Sequence, residues 1–327
     1  MGIKVLSLFD GMSCGRIALI RGGIKVSQYF ASEIHDPSIK ITQKNHPDTI
    51  QIGDVRYVSY KNGYLTYKDR ITDEMITLFV GKIHMVLAGS PCQDFSRSNT
   101  NGGGLKGTKS GLFYEFTRLL GEIKPKYFLL ENVKPRKKEW VDEINDEMNL
   151  QPYIINSELV SAQNRERYYW TNISNITLPD DKGIVFSDIA YDGEHQPIKP
   201  ELLERIRKTK RKTNKIGYYQ YDKNGKGNNS QFDRLYPKTG KVGTLTTTCG
   251  SMKIIEDMDN ENFRRIHIIE AERLQNVPVG YTEGVSPSYR FGMLGNGWTV
   301  DVITHIFSFM DLDYLYSSDE EMELETA

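Results

Sequence analysis

A cysteine directly after a proline, Cys92 in GSPCQDFSRS (89–98), stands where the apolar run Met85 to Ala88 gives way to a polar loop. A thiol in that setting, with Arg97 or a helix N-terminus to favour the thiolate, is a candidate covalent nucleophile. The competing reading of any lone cysteine is an inert core thiol. Glu131 lies in LLENV, again where an apolar run ends. Thiolate attack on a pyrimidine carbon needs an acid held against the ring nitrogen, and a glutamate with a raised pKa supplies one. A structural salt bridge is the alternative role for Glu131. In QNRER, Gln163, Arg165 and Arg167 alternate along the chain. In an extended segment they share a face, so one arginine can contact a pyrimidine oxygen while the other braces it or a phosphate.

A second set of residues suits a cofactor. The first apolar run leads into FDGMSCG, which holds Phe9, Asp10, Gly11, Ser13 and Gly15. Its glycines permit a tight turn into a helix whose N-terminus faces a ligand. The loop is not GxGxxG, and Asp10 suits a positively charged amino acid group better than a pyrophosphate. Glu33 ends the next run, where doubly wound folds place a carboxylate on ribose hydroxyls. Asp54 follows the third, placed to accept from an adenine amino group. Each acid taken singly also reads as a cap or loop residue. Their order along one sheet edge is the signal, and it suits S-adenosylmethionine better than a dinucleotide.

The elements that must position these residues are strand candidates at 4–9, 26–32, 49–54, 84–89, 126–133, 152–160 and 166–173. The first five are mostly short apolar runs, as in a buried parallel sheet, which predicts a doubly wound, Rossmann-like α/β domain with a smaller lobe. Helices are expected at 113–123, after the ENV loop at 134–150, at IIEAERLQ and along TVDVITHIFSFM. After about residue 184 the texture turns lysine-rich and turn-rich. The expected organisation is a cofactor-binding and catalytic domain at 1–184, an inserted region at 185–262, a return to the first domain at 263–310 and a disordered acidic tail at 311–327. No internal repeat is evident.

The chain has 327 residues, 38% of them hydrophobic, and no apolar run near the roughly 20 residues of a membrane span. The N-terminus lacks a signal-peptide pattern, so the expected location is the cytoplasm. Three scattered cysteines and six histidines form neither a disulfide framework nor a metal-spaced cluster, and no metal is expected. The net charge is −1, but seven of the 43 acidic residues lie from Asp311 onward, leaving 42 basic against 36 acidic residues elsewhere. Much of that surplus lies at Lys199 to Lys215, a block that either meets phosphates or forms a solvated face.

Taken in order from residue 5 to about 308, these motifs resemble the DNA (cytosine-5) methyltransferases. In that resemblance FDGMSCG is the cofactor loop, Glu33 the ribose carboxylate and Asp54 the adenine-side acid. SPCQDFS carries the nucleophile Cys92 after Pro91, Glu131 is the proton-donating glutamate, and Gln163, Arg165 and Arg167 form the Q-x-R-x-R element. EAERLQNVP and GMLGNGWTV resemble the last two motifs: the former supports the recognition lobe, and the latter brings Asn296 and Trp298 to the cofactor pocket. PCQDFS, with Asp94 where many members have glycine, and RFGMLGNGWTV are locally similar to the animal de novo methyltransferases.

The resemblance implies S-adenosylmethionine as methyl donor, a cytosine flipped out of duplex DNA as acceptor and residues 185–262 as the target-recognition region. Its rivals are a tRNA cytosine methyltransferase and a catalytically silent DNA-binding homologue. The basic insertion favours DNA, and the intact nucleophile set disfavours the silent protein. No nuclease domain is legible, so any restriction endonuclease partner is a separate chain. One target base per cleft makes a monomer the expectation.

Overall fold

The computed structural model describes residues 2–90, 110–135, 137–195, 217–218, 234–257 and 262–314. The Cys92 loop, the basic block and the tail beyond residue 314 lie outside them. The chain divides into two compact units, one of residues 1–155, 166–178 and 302–327, the other of residues 156–165 and 179–301.

The first half of the chain supplies β1 (Ile3–Leu8), β2 (Val26–Ser32), β3 (Ile50–Gln51), β4 (Ser59–Lys61), β5 (Tyr64–Lys68), β6 (Met75–Phe79), β7 (Met85–Ala88), β8 (Tyr127–Val133), β9 (Tyr153–Asn156), β10 (Gln163–Asn164) and β11 (Glu166–Thr171). The first unit is built on a seven-stranded sheet in the order β3-β2-β1-β7-β8-β11-β9. From β3 to β8 neighbouring strands run parallel, and β11 joins β8 antiparallel. All of β7 is buried, which is why it reads as an unbroken apolar run. The strand order reverses at β1, which lies between β2 and β7, so the ligand crevice belongs at the carboxyl ends of these strands.

Helices α1 (Cys14–Arg21), α2 (Asp36–Asn45), α3 (Phe113–Ile123) and α4 (Lys138–Met148) link these strands. The α3 helix buries Phe113, Phe116, Leu119 and Ile123, an apolar stripe at helical spacing. In the expected 134–150 segment the helix starts only at Lys138, after Lys137 in extended backbone. It stops at Asn149, whose φ of 49° is a left-handed cap.

Two strand expectations change. The 152–160 segment is extended only to Asn156 and then tightens into a 3-10 turn at Ser157–Leu159. The three-stranded sheet β4-β5-β6 has no counterpart among the expected strands, although Asn62 and Gly63, at φ of 50° and 80°, form the positive-φ pair typical of a two-residue hairpin.

The second unit contains β12 (Gly217–Tyr218), β13 (Arg234–Pro237), β14 (Val242–Gly243), β15 (Lys253–Asp257) and β16 (Asn262–Arg265). β14 pairs with β10, and the other four make one sheet. Helices α5 (Ile268–Leu274) and α6 (Pro287–Asn296) follow, then α7 (Val300–Phe307). Of the segment expected to return to the catalytic domain, residues 263–301 group with the second unit and only 302–310 with the first. The hold is physical: β16 pairs with β15, and Arg264 makes an ion pair of 2.6 Å with the fully buried Glu270 of α5.

Candidate active site

The cofactor loop leaves β1 with three left-handed residues in five: Phe9 at φ 56°, Gly11 at 58° and Ser13 at 62°. Such backbone is strained for Phe9 and Ser13, and it is held by side chains behind the loop. Asp10 accepts from the Tyr29 hydroxyl of β2 at 2.8 Å and from the Ser13 hydroxyl. Burial pushes the Asp10 carboxyl up to about 6, against the hydrogen bonds that favour its charged form. The same burial, with Asp10 adjacent, drives the Tyr29 phenol well above its ordinary value, so it remains a donor. Sequence reasoning misses Tyr29, whose hydroxyl in the buried half of β2 is the available signal. Gly15 is buried in the first turn of α1.

Glu33 stands just past β2 and fastens the loop from the other side. Its Oε2 accepts from the Gly11 amide at 2.7 Å, and its Oε1 from the amides of Ile34 and His35 at 2.8 and 2.9 Å. A carboxylate offers about four lone-pair sites, so acceptor capacity remains for a hydroxyl. Asp54 caps the short turn Val55–Tyr57 and pairs with Arg56 at 2.5 Å, and that guanidinium holds its carboxyl below the usual range. The cap reading of Asp54 is therefore realised in the structure.

This donor set fits S-adenosylmethionine. Carboxylates stand after β1, β2 and β3 in spatial order, and the space beside the Gly11 α-carbon is open, with nothing among the described residues within 4 Å of where a Cβ would be.

At the end of β8, Glu131 is 7% exposed. The antiparallel register sets it opposite Tyr169 of β11 and diagonal to Arg167, whose Nε lies 3.0 Å from the Glu131 carboxylate. The salt-bridge reading of Glu131 is thus also realised. The contact is ionic rather than an aligned hydrogen bond: the buried Arg167 Nε lacks a hydrogen-bond partner among the described residues. Asn132 donates from Nδ2 to the Ser90 hydroxyl at 3.0 Å, tying β8 to the last described residue before the Cys92 loop. Cys92 and Pro91 themselves lie outside the described residues.

The three residues of the Q-x-R-x-R element have different partners. Arg165 is 2% exposed and donates to the carbonyls of Leu245, Gly295 and Gly297 at 3.0, 3.1 and 2.8 Å. Gln163, fully buried, donates to the Leu274 carbonyl and to the Gln275 side chain. Both residues brace the second unit, while Arg167 sits in the first beside Glu131. Within the second unit Asn296 is exposed at the end of α6 and Trp298 is buried. The EAERLQNVP stretch serves the same interior, for Glu272 accepts from the amides of Gly280 and Thr282 at 2.7 and 3.0 Å. Cys249 is buried there, and that burial pushes its thiol up to about 12, leaving it inert as a nucleophile.

The family model for C-5 cytosine-specific DNA methylase matches residues 3–311, which include the loop after β1, the Cys92 segment and the end of β8. The chain belongs to this family. It is an S-adenosylmethionine-dependent enzyme that methylates cytosine at C5 in DNA.

Among its relatives, the Type II methyltransferase M.NlaX of Neisseria lactamica is 26% identical, the match covering 98% of this chain and 99% of that protein. M1.ScrFI of Lactococcus lactis is 28% identical over 92% of this chain and 76% of that protein. Among solved structures, the Dnmt2 methyltransferase of S. pombe superposes with a TM-score of 0.67 at 16% identity, covering 96% of this chain and 99% of that one. The fold is accordingly the Rossmann-like methyltransferase α/β fold with an added small lobe. Structural relatives of Dnmt2 type leave the likeness to the animal de novo methyltransferases resting on two short stretches of sequence.

Proposed function

We propose that Cys92 attacks C6 of a cytosine extruded from the duplex, with Glu131 holding N3 and Arg167 donating to the ring O2. The Cys92 sulfur–C6 bond forms as negative charge moves toward N3, where Glu131, a carboxylate in its pair with Arg167 in the unliganded chain, takes up a proton from solvent as the base enters and shares it with the ring nitrogen. S-adenosylmethionine supplies the electrophilic methyl group that C5 then takes. Loss of the C5 proton to a water molecule, departure of the Cys92 thiolate and return of the N3 proton to Glu131 restore the aromatic ring.

The observation that carries this reading is the Glu131–Arg167 pair, in which the buried Arg167 Nε–H finds no hydrogen-bond acceptor among the described residues at the carboxyl edge of the sheet. An unsatisfied buried donor is costly unless a ligand completes it. Glu33, the Phe9–Ser13 loop and Asp54 hold the cofactor, with Arg56 displaced from Asp54 when adenine binds. The animal de novo likeness, in this reading, stays with the two short stretches PCQDFS and RFGMLGNGWTV.

Residues 185–262 read the target, with the Lys199–Lys215 block on phosphates. Double-stranded DNA is the acceptor, one chain carries the whole catalytic set, and the working compartment is the cytoplasm. Relatives named Type II methyltransferases favour a separate cognate restriction endonuclease as partner.

The test is incubation with mixed-sequence duplex DNA and S-adenosylmethionine, followed by bisulfite mapping. Methylated cytosines confined to one short motif support the reading, whereas methylation of tRNA and not of DNA overturns the choice of acceptor. Cys92→Ala should keep cofactor binding and lose methyl transfer; turnover near the wild-type rate would exclude Cys92 as nucleophile.

A further inference from the structure

The three-stranded sheet β4-β5-β6 has no part in the mechanism above, yet its far turn reaches the cofactor side of the first unit. The sheet is firmly seated. Leu65 is fully buried and Tyr67 nearly so, in one cluster with Ile52, Val55 and Val80, and the Tyr60 amide donates to Glu122 of α3 at 2.8 Å. The turn from β5 to β6 is closed on itself: Asp69 accepts from the amides of Ile71 and Thr72 at 2.9 and 2.8 Å, and its own amide donates to the Glu74 carbonyl at 2.8 Å. A side chain on that turn starts from a fixed point.

Arg70 is that side chain. Its stem lies on the backbone of Gly53, where a Cβ would come within 2.9 Å of the Arg70 Cγ and 3.0 Å of the Lys68 carbonyl oxygen. Its guanidinium makes a long hydrogen bond of 3.4 Å to the Ile34 carbonyl and pairs at 2.5 Å with Asp36, the first residue of α2. Gly53 directly precedes Asp54, and Ile34 directly follows Glu33. One side chain thus touches the chain neighbours of both acids on the adenosine side. Deeper in, the Ser32 hydroxyl donates to the Gly53 carbonyl at 2.8 Å, so the two loops are tied at two levels, by Ser32 inside and by Arg70 at the rim. An ion pair as open as this one, with Asp36 84% exposed, adds little to stability by itself. Its effect is on spacing. Holding two binding groups at their bound separation before the ligand arrives lowers the ordering cost of binding.

We propose that Arg70 is a positioning residue for S-adenosylmethionine, a strap from the β5-β6 turn that holds the Glu33 and Asp54 loops at the spacing the adenosine half requires, an assignment that rests on the reading of those two acids as cofactor ligands. Arg70 acts through the two loops and not on the reacting atoms, so its loss falls on cofactor affinity.

Calorimetric titration of the full chain tests this with two probes: S-adenosylhomocysteine, and methylthioadenosine, which keeps the adenosine half and lacks the amino acid group. Arg70→Ala should weaken both by the same factor, about five- to tenfold. The KM for S-adenosylmethionine should rise in step, while kcat moves less than about twofold. Asp36→Ala cuts the same strap from α2 and carries the test should Arg70→Ala disturb the turn; the double variant should be no weaker than Arg70→Ala alone. Glu33→Ala separates the strap from the site. Lost affinity in Glu33→Ala with none in Arg70→Ala or Asp36→Ala overturns the strap and leaves the site standing, whereas no loss in any of the three overturns both. A defect in Arg70→Ala that tracks a lowered unfolding midpoint and falls equally on kcat makes Arg70 an ordinary stabiliser and also overturns the strap.

Discussion

Arg165 and Arg167 are two residues apart, carry the same group and have opposite surroundings. The Arg165 guanidinium is locked on three backbone carbonyls of the second unit, with Gln163 and Gln275 beside it, and works as an internal brace. Arg167 faces a carboxylate at 3.0 Å, and its buried Nε–H has no hydrogen-bond acceptor among the described residues. Arg165 spends its donors on backbone carbonyls of the second unit; Arg167 donates to the Glu166 carbonyl and keeps its Nε–H, which in the proposed mechanism meets the substrate. Spacing in the sequence cannot separate the two roles; the partners do.

That contrast is open to direct attack. The largest effects should come from the two arginines truncated in turn. Arg167→Ala and Glu131→Gln should each lower kcat by about 10²–10³-fold, as loss of a group that meets developing charge does, with only a modest change in unfolding midpoint. Arg165→Ala should destabilise by on the order of 3 kcal/mol, since buried carbonyls lose their donor, and activity should fall in step with the folded fraction. Thermal unfolding beside single-turnover kinetics separates the patterns. If Arg165→Ala folds like the wild type yet is inactive, the division of roles fails.

A smaller, pH-dependent effect is expected at Asp10. Its carboxyl, raised by burial from 3.8 to about 6, binds its proton more tightly in the folded chain than in the unfolded one. Its contribution to stability is therefore greatest below about pH 4 and is lost as pH rises through about 6. Binding of a cation-bearing cofactor runs the other way, strengthening as the carboxylate forms. Titration of S-adenosylmethionine affinity across this window should show that rise in the wild type and a flat profile in Asp10→Asn. Tyr29→Phe, which deletes one hydrogen bond to the carboxylate, should weaken cofactor binding several-fold while leaving the KM for DNA alone.

The smallest effect per residue should lie in the basic block. Neutralising Lys208, Lys210, Arg211 and Lys212 should reduce the slope of log affinity for DNA against log salt by roughly 0.9 for each phosphate that the block neutralises in the complex. An unchanged slope returns the block to a solvated surface.

The parallel sheet was legible because burial writes β1, β7 and much of β8 as short apolar runs, with Asp10 and Glu33 following β1 and β2 and Glu131 near the end of β8. The β4-β6 hairpins carried a readable turn in Asn62-Gly63, yet their strands mix exposed aromatic and charged residues and lack the buried-run signature. The fate of Arg165 was not legible. Its acceptors lie at residues 245, 295 and 297, and only the folded second unit brings those carbonyls together. Tyr29 likewise depends on the pairing of β1 with β2, which sets its hydroxyl beside Asp10.

The crossing at Gly295 bears on how such enzymes can be recombined. A Cβ there would collide with the carbonyl carbon and oxygen of Thr246, so the α6 backbone and the 246–247 backbone touch directly. Residues 242–247 are thereby clamped between β10 and α6, as much chassis as reader. A hybrid that imports the specificity segment of a relative should take its splice before β13 and keep residues 242–251 with their native Gly295, treating that seam as the fixed socket into which interchangeable heads are fitted.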